Sequence, residues 1–327
     1  MISRAIQEIS GHEKAEAVLA RALINDRVFP TWIFRGPSGI GKTGVAFKFA
    51  KCLLAGITPK GDALDIAPEN PIHKVVDGGV HPDLFVLRQN DESVSIDDTR
   101  KLMLKVRKTP ADGGRRVVIL ENSSAFNKNI CNSLLKILEE PPKNAVIIMI
   151  CDNPGLIPKT LLSRAAKLYF NPLPEAVVKK ILDAAGTENS EKSAKLSEGS
   201  VGYAFHLHEN GGVEIYDTLL RGFFNDGSRG AEVLKKVVDD GMCDNFRIVK
   251  TSLLRILKIY ARMIGGIADE NLPEETEVLE PTVRARRNRP DKEIARVQDI
   301  VSLLCRCEPA SLDKNAVVSA VFEKFFQ

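Results

Sequence analysis

Apolar positions in the first half of the chain follow two alternating patterns. Short, almost continuous apolar runs predict buried strands, and between them apolar side chains recur every three or four residues, as on one face of a helix. The predicted strands cover Thr31 to Phe34, Leu84 to Leu87, Val117 to Leu120 and Ala145 to Ile150. The predicted helices cover Gly11 to Leu23, Val45 to Leu53, Asp97 to Arg107 and Ile130 to Glu140. This alternation predicts an α/β fold in which the later three strands are central strands of a parallel sheet.

Beyond Pro172 the pattern becomes wholly helical, which divides the chain into regions. We predict an α/β domain over residues 1–171, a small helical domain over 172–210 and a larger helical domain over 211–327. The Gly-, Pro- and Asp-rich segment from Gly56 to Gly79 predicts an irregular excursion from the first domain.

The stretch from Glu274 to Pro290 interrupts the last helical block. It is first acidic and then basic, it carries Arg284, Arg286, Arg287 and Arg289, and it shows no helical apolar face. We interpret it as a solvated loop, with a contact to DNA or to a partner protein as the alternative.

Composition narrows the class of protein only slightly. A formal net charge of +3 over 327 residues does not indicate nucleic-acid binding. The sequence contains no run of about 18 consecutive apolar residues, so no membrane-spanning helix is predicted. We expect a cytoplasmic protein. The six cysteines lack the spacing of a disulfide framework or of a zinc site, so no zinc is predicted.

Residues 36–43 carry the strongest chemical signal in the chain. Between a predicted strand and a predicted helix they match GxxxxGK[ST] in full, reading Gly36, Pro37, Ser38, Gly39, Ile40, Gly41, Lys42 and Thr43. The glycines allow backbone N–H groups to surround phosphate oxygens at the positive end of the helix dipole. Lys42 would neutralise phosphate charge and Thr43 would ligate Mg²⁺, so ATP or ADP with Mg²⁺ is the expected ligand. A vestigial loop that binds nucleotide weakly is the alternative.

Hydrolysis in a P-loop ATPase also requires acidic residues after an apolar strand, to hold the metal and to activate water. The candidate strand Val117 to Leu120 is followed by Glu121 and Asn122. Glu121 occupies the position of the metal-binding residue, whereas the neutral amide of Asn122 cannot accept a proton from water. We therefore predict that hydrolysis by this chain is slow or absent.

Three further strings carry a family resemblance. Residues 132–142 read NSLLKILEEPP, residues 161–165 read LLSRA and residues 199–204 read GSVGYA. They are similar to the NxLLKxLEEPP, SRC and GSxGxA motifs of bacterial clamp-loader subunits, and the entry motif up to His12 and the HPD string at His81 extend the resemblance. The chain thus resembles the AAA+ clamp-loader family over most of its length.

This resemblance implies an AAA+ P-loop domain, a small helical lid and an all-α collar that holds an oligomer together. It implies that Arg164 acts as an arginine finger on a neighbouring subunit's nucleotide, and that Tyr203 stands where ATP-hydrolysing members have an arginine. It also implies a hetero-oligomer with gamma/tau and delta subunits, the sliding clamp and primed DNA as partners.

Asn122 and Tyr203 both remove groups that hydrolysis uses, and they favour a non-motor subunit of the clamp loader. The alternatives are a gamma/tau-type ATPase, favoured by the complete phosphate loop, and another AAA+ DNA-processing ATPase.

Overall fold

The computed structural model describes residues 11–88, 96–111, 113–123, 130, 134, 137–138, 140–153, 155, 157, 159–224, 245–267, 272–306 and 314–326. In chain order the elements are α1 (Glu13–Ile24), β1 (Thr31–Arg35), α2 (Lys42–Ala55), α3 (Ile72–Asp77), β2 (Leu84–Arg88), α4 (Ile96–Val106), β3 (Arg116–Glu121), β4 (Ala145–Cys151), α5 (Lys159–Leu162), β5 (Ala166–Tyr169), α6 (Glu175–Ala184), α7 (Ser190–Leu196), α8 (Val201–Glu209), α9 (Gly212–Phe224), α10 (Phe246–Ile264), α11 (Pro273–Arg286), α12 (Pro290–Arg306) and α13 (Lys314–Phe326).

The strands form one parallel five-stranded sheet in the order β2-β3-β4-β1-β5, which confirms the predicted α/β fold. The expectation that β2 is a central strand was wrong, because β2 lies at one edge of the sheet and is only partly buried. The edge strand β5 was not predicted, because only Leu168 of its four residues is buried. Helix α3 lies within the segment that was expected to be irregular.

Two cores cover the two faces of the sheet, and alternate residues of each inner strand enter them. On one face Trp32 and Phe34 of β1 pack with Phe49 of α2, whereas Ile33 enters the opposite core. That second core includes residues of the helix predicted before β4, of which the structure describes Ile130, Leu134, Ile137 and Leu138 as helical and buried. Their spacing of three and four residues is that of one helix face, and Asn132, Ser133, Leu135, Lys136 and Glu139 of the same string lie outside the described residues.

A buried ion pair fastens β3 to the turn before β2. Arg116 donates to Asp83 Oδ1 from Nε at 2.9 Å and from Nη2 at 2.7 Å, and also to the carbonyl oxygen of Thr109 at 2.8 Å. Asp83 accepts a further bond from the Ala111 amide at 2.9 Å. His81 Nδ1 accepts the Asp83 amide at 3.1 Å, so the HPD string stabilises a turn.

The chain forms two compact units, Met1–Phe205 and His206–Gln327. Helices α6 to α8 belong mainly to the first unit and have a small core of their own, which includes Val178, Leu182 and Phe205. A separate small domain over residues 172–210 therefore stays a prediction. None of the described helices is both long and apolar enough to cross a membrane.

The second unit is helical and buries two carboxylates. Glu275 is fully buried; it accepts Arg255 Nε at 2.9 Å, the Leu272 amide at 2.7 Å and the hydroxyl of Tyr216. Burial, reinforced by the adjacent Glu275 charge, raises the pKa of Tyr216, so the phenol stays a proton donor.

The second carboxylate, Glu293, fastens the last helix. It accepts the hydroxyl of Tyr260 at 2.9 Å and Arg286 Nη1 at 3.3 Å. Arg286 Nη1 also donates to the carbonyl oxygen of Phe325 at 3.1 Å, and its guanidinium lies 5.1 Å from the centre of the Phe325 ring. Arg286 is thereby a structural residue of this unit.

The interpretation of Glu274 to Pro290 as a loop was wrong. Helix α11 covers Pro273–Arg286, and Glu275, Leu279 and Val283 form its buried face at intervals of four residues. Leu279 and Val283 are apolar, but the third buried position is Glu275, whose charge is paired with Arg255 inside the unit. A charged residue at a buried position interrupts the apolar periodicity, so the pattern did not indicate a helix. Arg284, Arg287 and Arg289 are exposed.

We expect the substitution Glu275→Gln to lower the free energy of unfolding by about 3 kcal/mol, because it breaks the buried ion pair of Glu275 with Arg255. Urea unfolding followed by circular dichroism measures this loss. Glu280→Gln is the control: Glu280 pairs with Arg284 at 2.9 Å on the exposed side of the same helix, and its removal should cost about 0.5 kcal/mol or less. Equal losses for the two variants would contradict the assignment.

Candidate nucleotide site

The loop over residues 36–41 turns from β1 into α2, and its glycines are required by close packing. Gly39 and Gly41 have φ of 74° and 102°, which side-chain-bearing residues rarely adopt. A Cβ on Gly36 would lie 2.3 Å from the carbonyl oxygen of Phe170, and one on Gly39 would lie 2.4 Å from Ser200 Oγ. The loop therefore lies between a strand and a helix, as the sequence predicted, and its binding of phosphate stays a prediction.

Lys42 is the first residue of α2 and is 3% exposed. Its ammonium donates to the carbonyl oxygens of Gly36, at 2.8 Å, and of Pro37. It also forms an ion pair with Asp152 Oδ1 at 2.8 Å. Asp152 follows β4 directly and was not among the predicted site residues.

Glu121 and Asn122 lie at the carboxyl end of β3. Arg88 on the edge strand β2 lies opposite Glu121 in the strand register, and its Nε donates to Glu121 Oε1 at 3.1 Å. Asn122 has a left-handed φ of 50°, and the buried Ser123 donates to the Ile150 carbonyl oxygen at 2.8 Å. The only carboxylate of this dipeptide is thus paired with a cation.

A cavity of about 290 Å³ joins the loop to these strand ends. Its described lining residues are Ser38, Gly39, Gly41, Lys42, Thr43, Glu121, Asn122, Ile150, Asp152 and Gly202. The volume is close to the lower limit of about 300 Å³ for small-molecule sites. The structure therefore brings together most of the predicted site residues, with Gly36, Pro37 and Ile40 in the loop but outside this lining.

The amino end of α8 packs onto the loop. The Gly202 amide donates to the Gly39 carbonyl oxygen at 2.8 Å, and Ser200 Oγ donates to the Ser38 carbonyl oxygen at 3.0 Å. Tyr203 in the same turn is buried, with 8% of its surface exposed. The string over residues 199–204 contacts the loop through backbone and hydroxyl groups.

His12 supports the loop from the side of α1. Its Nε2 lies 2.6 Å from the Ile40 carbonyl oxygen, and since a carbonyl can only accept, Nε2 must carry the proton. The ring is 6% exposed and packs edge-on against Phe170 at 5.0 Å. Burial lowers the pKa of His12, which favours the neutral ring in the folded chain.

Arg164 lies elsewhere on the first unit, in the turn between α5 and β5. Its side chain is exposed, and it is not among the described residues that line the cavity. Arg164 is thus an exposed residue outside the cavity lining.

The described residues partly fit a nucleotide with Mg²⁺. The loop offers backbone amides at the start of a 14-residue helix, with Lys42 for phosphate charge and Thr43 for the metal. Glu121 and Asp152 are the oxygen ligands available nearby, but each already faces a cation. No group of three or more His, Cys, Asp or Glu among the described residues could hold a metal ion by itself.

A parallel sheet of this strand order, with a complete phosphate loop after β1, defines the first unit as a P-loop domain of the AAA+ type, followed by a helical region. A family described as "DNA polymerase III, delta subunit" matches residues 11–174, which is half of the chain. The chain belongs to this family. The match confirms the resemblance to bacterial clamp-loader subunits, and relatives named delta' agree with a subunit of that type.

Those relatives resemble limited parts of the chain. DNA polymerase III subunit delta' of Pseudomonas aeruginosa is 36% identical over 110 residues, which are 33% of each chain. Subunit delta' of Bacillus subtilis is 27% identical over 125 residues, 37% of this chain and 36% of that protein. A gamma-subunit-related structure from Thermotoga maritima has a TM-score of 0.44 at 15% identity and covers 94% of this chain and 97% of its own. The matched segments thus span about a third of the two delta' relatives.

We expect His12 to make the stability of the first unit depend on pH. The pKa of His12 is lowered below its ordinary 6.5 by burial, so between 6.5 and that lower value the unfolded chain binds a proton that the folded chain does not. The free energy of unfolding therefore falls as pH falls through this window. His12→Asn should flatten the dependence and cost about 1 kcal/mol at pH 7.5 for the lost hydrogen bond.

Urea midpoints at pH 7.5 and 5.5 for both proteins measure this difference. His206, whose pKa burial also lowers, is present in both and cancels in the comparison. Parallel pH dependences for wild type and variant would contradict the role of His12.

Proposed function

We propose that this chain is a delta-prime-type subunit of a bacterial clamp loader, which takes part in loading a sliding clamp onto primed DNA during cytoplasmic replication. Membership of the DNA polymerase III delta subunit family supports a place in the clamp loader. The residues at the end of β3, Glu121 and Asn122, support a subunit that does not itself drive the reaction by hydrolysing ATP. In this proposal the chain works in a hetero-oligomer with gamma/tau and delta subunits. Residues 211–327 act as the collar, and residues 172–210 act as the lid.

The observation that carries the non-motor proposal is the end of β3. Asn122 offers an amide where a proton-accepting carboxylate is needed, and the Glu121 carboxylate faces Arg88 at 3.1 Å. Residues Gly36 to Thr43 keep the shape that holds phosphate. The chain would therefore bind ATP or ADP weakly and hydrolyse ATP slowly or not at all.

Arg164 has its proposed role on another subunit. Its exposed position outside the lining of its own cavity suits a cation that reaches across a subunit boundary. There it would stabilise the charge that develops on a transferred phosphoryl group. Arg164 would assist the hydrolysis of ATP bound to the neighbouring subunit and would not contact nucleotide in the cavity of its own chain.

The second candidate is a gamma/tau-type ATPase, and one observation favours it. The Asp152 carboxylate lines the cavity beside Lys42, and a carboxylate there can serve as the metal ligand or proton acceptor that the end of β3 lacks. ATP turnover by the isolated chain separates the two candidates.

We expect the isolated chain to hydrolyse ATP at a rate indistinguishable from that of its Lys42→Ala variant. The reason is that no unpaired carboxylate of the β3 end is available to activate water. Steady-state phosphate release with ATP and Mg²⁺ measures both rates. Vigorous turnover that Lys42→Ala abolishes would establish the motor candidate instead.

We expect Arg164→Ala to reduce the DNA-stimulated ATPase of a reconstituted complex by about 10³-fold or more, the range of arginine fingers acting in trans. Native mass spectrometry verifies that the complex still assembles. Lys167→Ala, an exposed cation on the adjacent β5, is the matched control and should leave the rate unchanged. An intact rate with Arg164→Ala would remove the finger assignment.

A further inference from the structure

The phosphate-binding lysine is already engaged. A lysine ammonium has three hydrogens to donate, and Lys42 has three acceptors, the carbonyl oxygens of Gly36 and Pro37 and the Asp152 carboxylate. The Lys42 side chain is 3% exposed and the Asp152 side chain is 33% exposed, so the ammonium is shielded from water while the carboxylate is partly accessible. Phosphate oxygens can reach the ammonium only if one of these acceptors leaves it.

Sheet register determines where Asp152 lies. Strand β4 pairs with β1 so that Cys151 is opposite Arg35, and the Gly36 amide donates to the Cys151 carbonyl oxygen at 3.3 Å. The next residue along β4 is therefore beside the first residue of the phosphate loop. The backbone of Asp152 is thus placed by the pairing of the two neighbouring strands β1 and β4.

The charge in the cavity is unfavourable for a bare polyphosphate. Lys42 is the only cationic side chain among its described lining residues, whereas Glu121 and Asp152 are both acidic. Arg88 faces Glu121 from outside that lining, at 3.1 Å. Asp152 consequently competes with an incoming phosphate for Lys42 and also repels it.

We propose that Asp152 is the internal competitor that determines nucleotide affinity in this cavity and couples nucleotide binding to magnesium. Without a divalent cation, Asp152 holds Lys42 and opposes the phosphates. When nucleotide binds with Mg²⁺, the Asp152 carboxylate pairs with Mg²⁺ instead of with Lys42. The Lys42 ammonium is then available to bind the phosphate oxygens. This inference rests on the proposal that the loop takes nucleotide, and it deepens that proposal.

Equilibrium binding of ADP to the full chain tests the proposal, measured by isothermal calorimetry in EDTA and in Mg²⁺. We expect Asp152→Asn to tighten binding in EDTA about tenfold, because the variant ends both the competition of the carboxylate for Lys42 and its repulsion of the phosphates. The ratio of the dissociation constants in EDTA and in Mg²⁺ should become smaller in the variant. Asp152→Ala is the second variant, and thermal unfolding verifies that each protein is folded.

Asp77→Asn is the matched control. Asp77 pairs at 2.7 Å with Lys51, which lies in helix α2 as Lys42 does, and Asp77 does not line the cavity. It should leave both dissociation constants unchanged. In a Lys42→Ala background the effect of Asp152→Asn should shrink, since competition for the ammonium is then absent.

Unchanged or weaker binding of Asp152→Asn in EDTA, or no binding by any of the proteins, would overturn the proposal. Weaker binding confined to Mg²⁺, with unchanged affinity in EDTA, would make Asp152 a metal ligand alone and would also overturn it. Clamp loading does not enter this measurement, so its failure leaves the subunit assignment intact. Conversely, an inactive reconstituted complex would not alter the ADP result.

Discussion

Close packing around the turn from β1 into α2 is the constraint on which the rest of the first unit depends. Three separate parts of the chain meet this turn: Phe170 after β5, Ser200 before α8, and His12 before α1. Gly36 and Gly39 have no room for a side chain against them. The turn is thus held from three sides by close packing.

In the same region, two carboxylates at the strand ends are paired with cations of the chain. Glu121 and Asp152 lie at the carboxyl ends of neighbouring strands, where a parallel sheet usually presents groups to a ligand. Each of them faces a cation of the chain itself, Arg88 and Lys42 respectively. Both carboxylates are thus paired within the chain at the edge of the sheet where the cavity lies.

Local patterns predicted those parts of the molecule that depend on neighbouring residues in the chain. The inner strands and the loop from Gly36 to Thr43 were predicted because apolar runs and glycine spacing are local signals. Asp152 was missed because its place beside Lys42 depends on the register between β1 and β4, which no motif encodes. Helix α11 was missed because Glu275 occupies a core position, and a carboxylate appears in a sequence pattern as a solvent-facing residue.

The attachment of Phe325 to Arg286 has a practical consequence for work with this protein. Arg286 joins the last turn of α13 to the Glu293 network, and the Phe325 ring also packs against Tyr260, with ring centres 5.3 Å apart. Shortened versions that end before residue 314 would expose apolar surface on α10 and α12 and leave the Glu293 carboxylate partly hydrated. Affinity tags, fluorophores and surface-immobilisation chemistry are better attached at positions distant from α13.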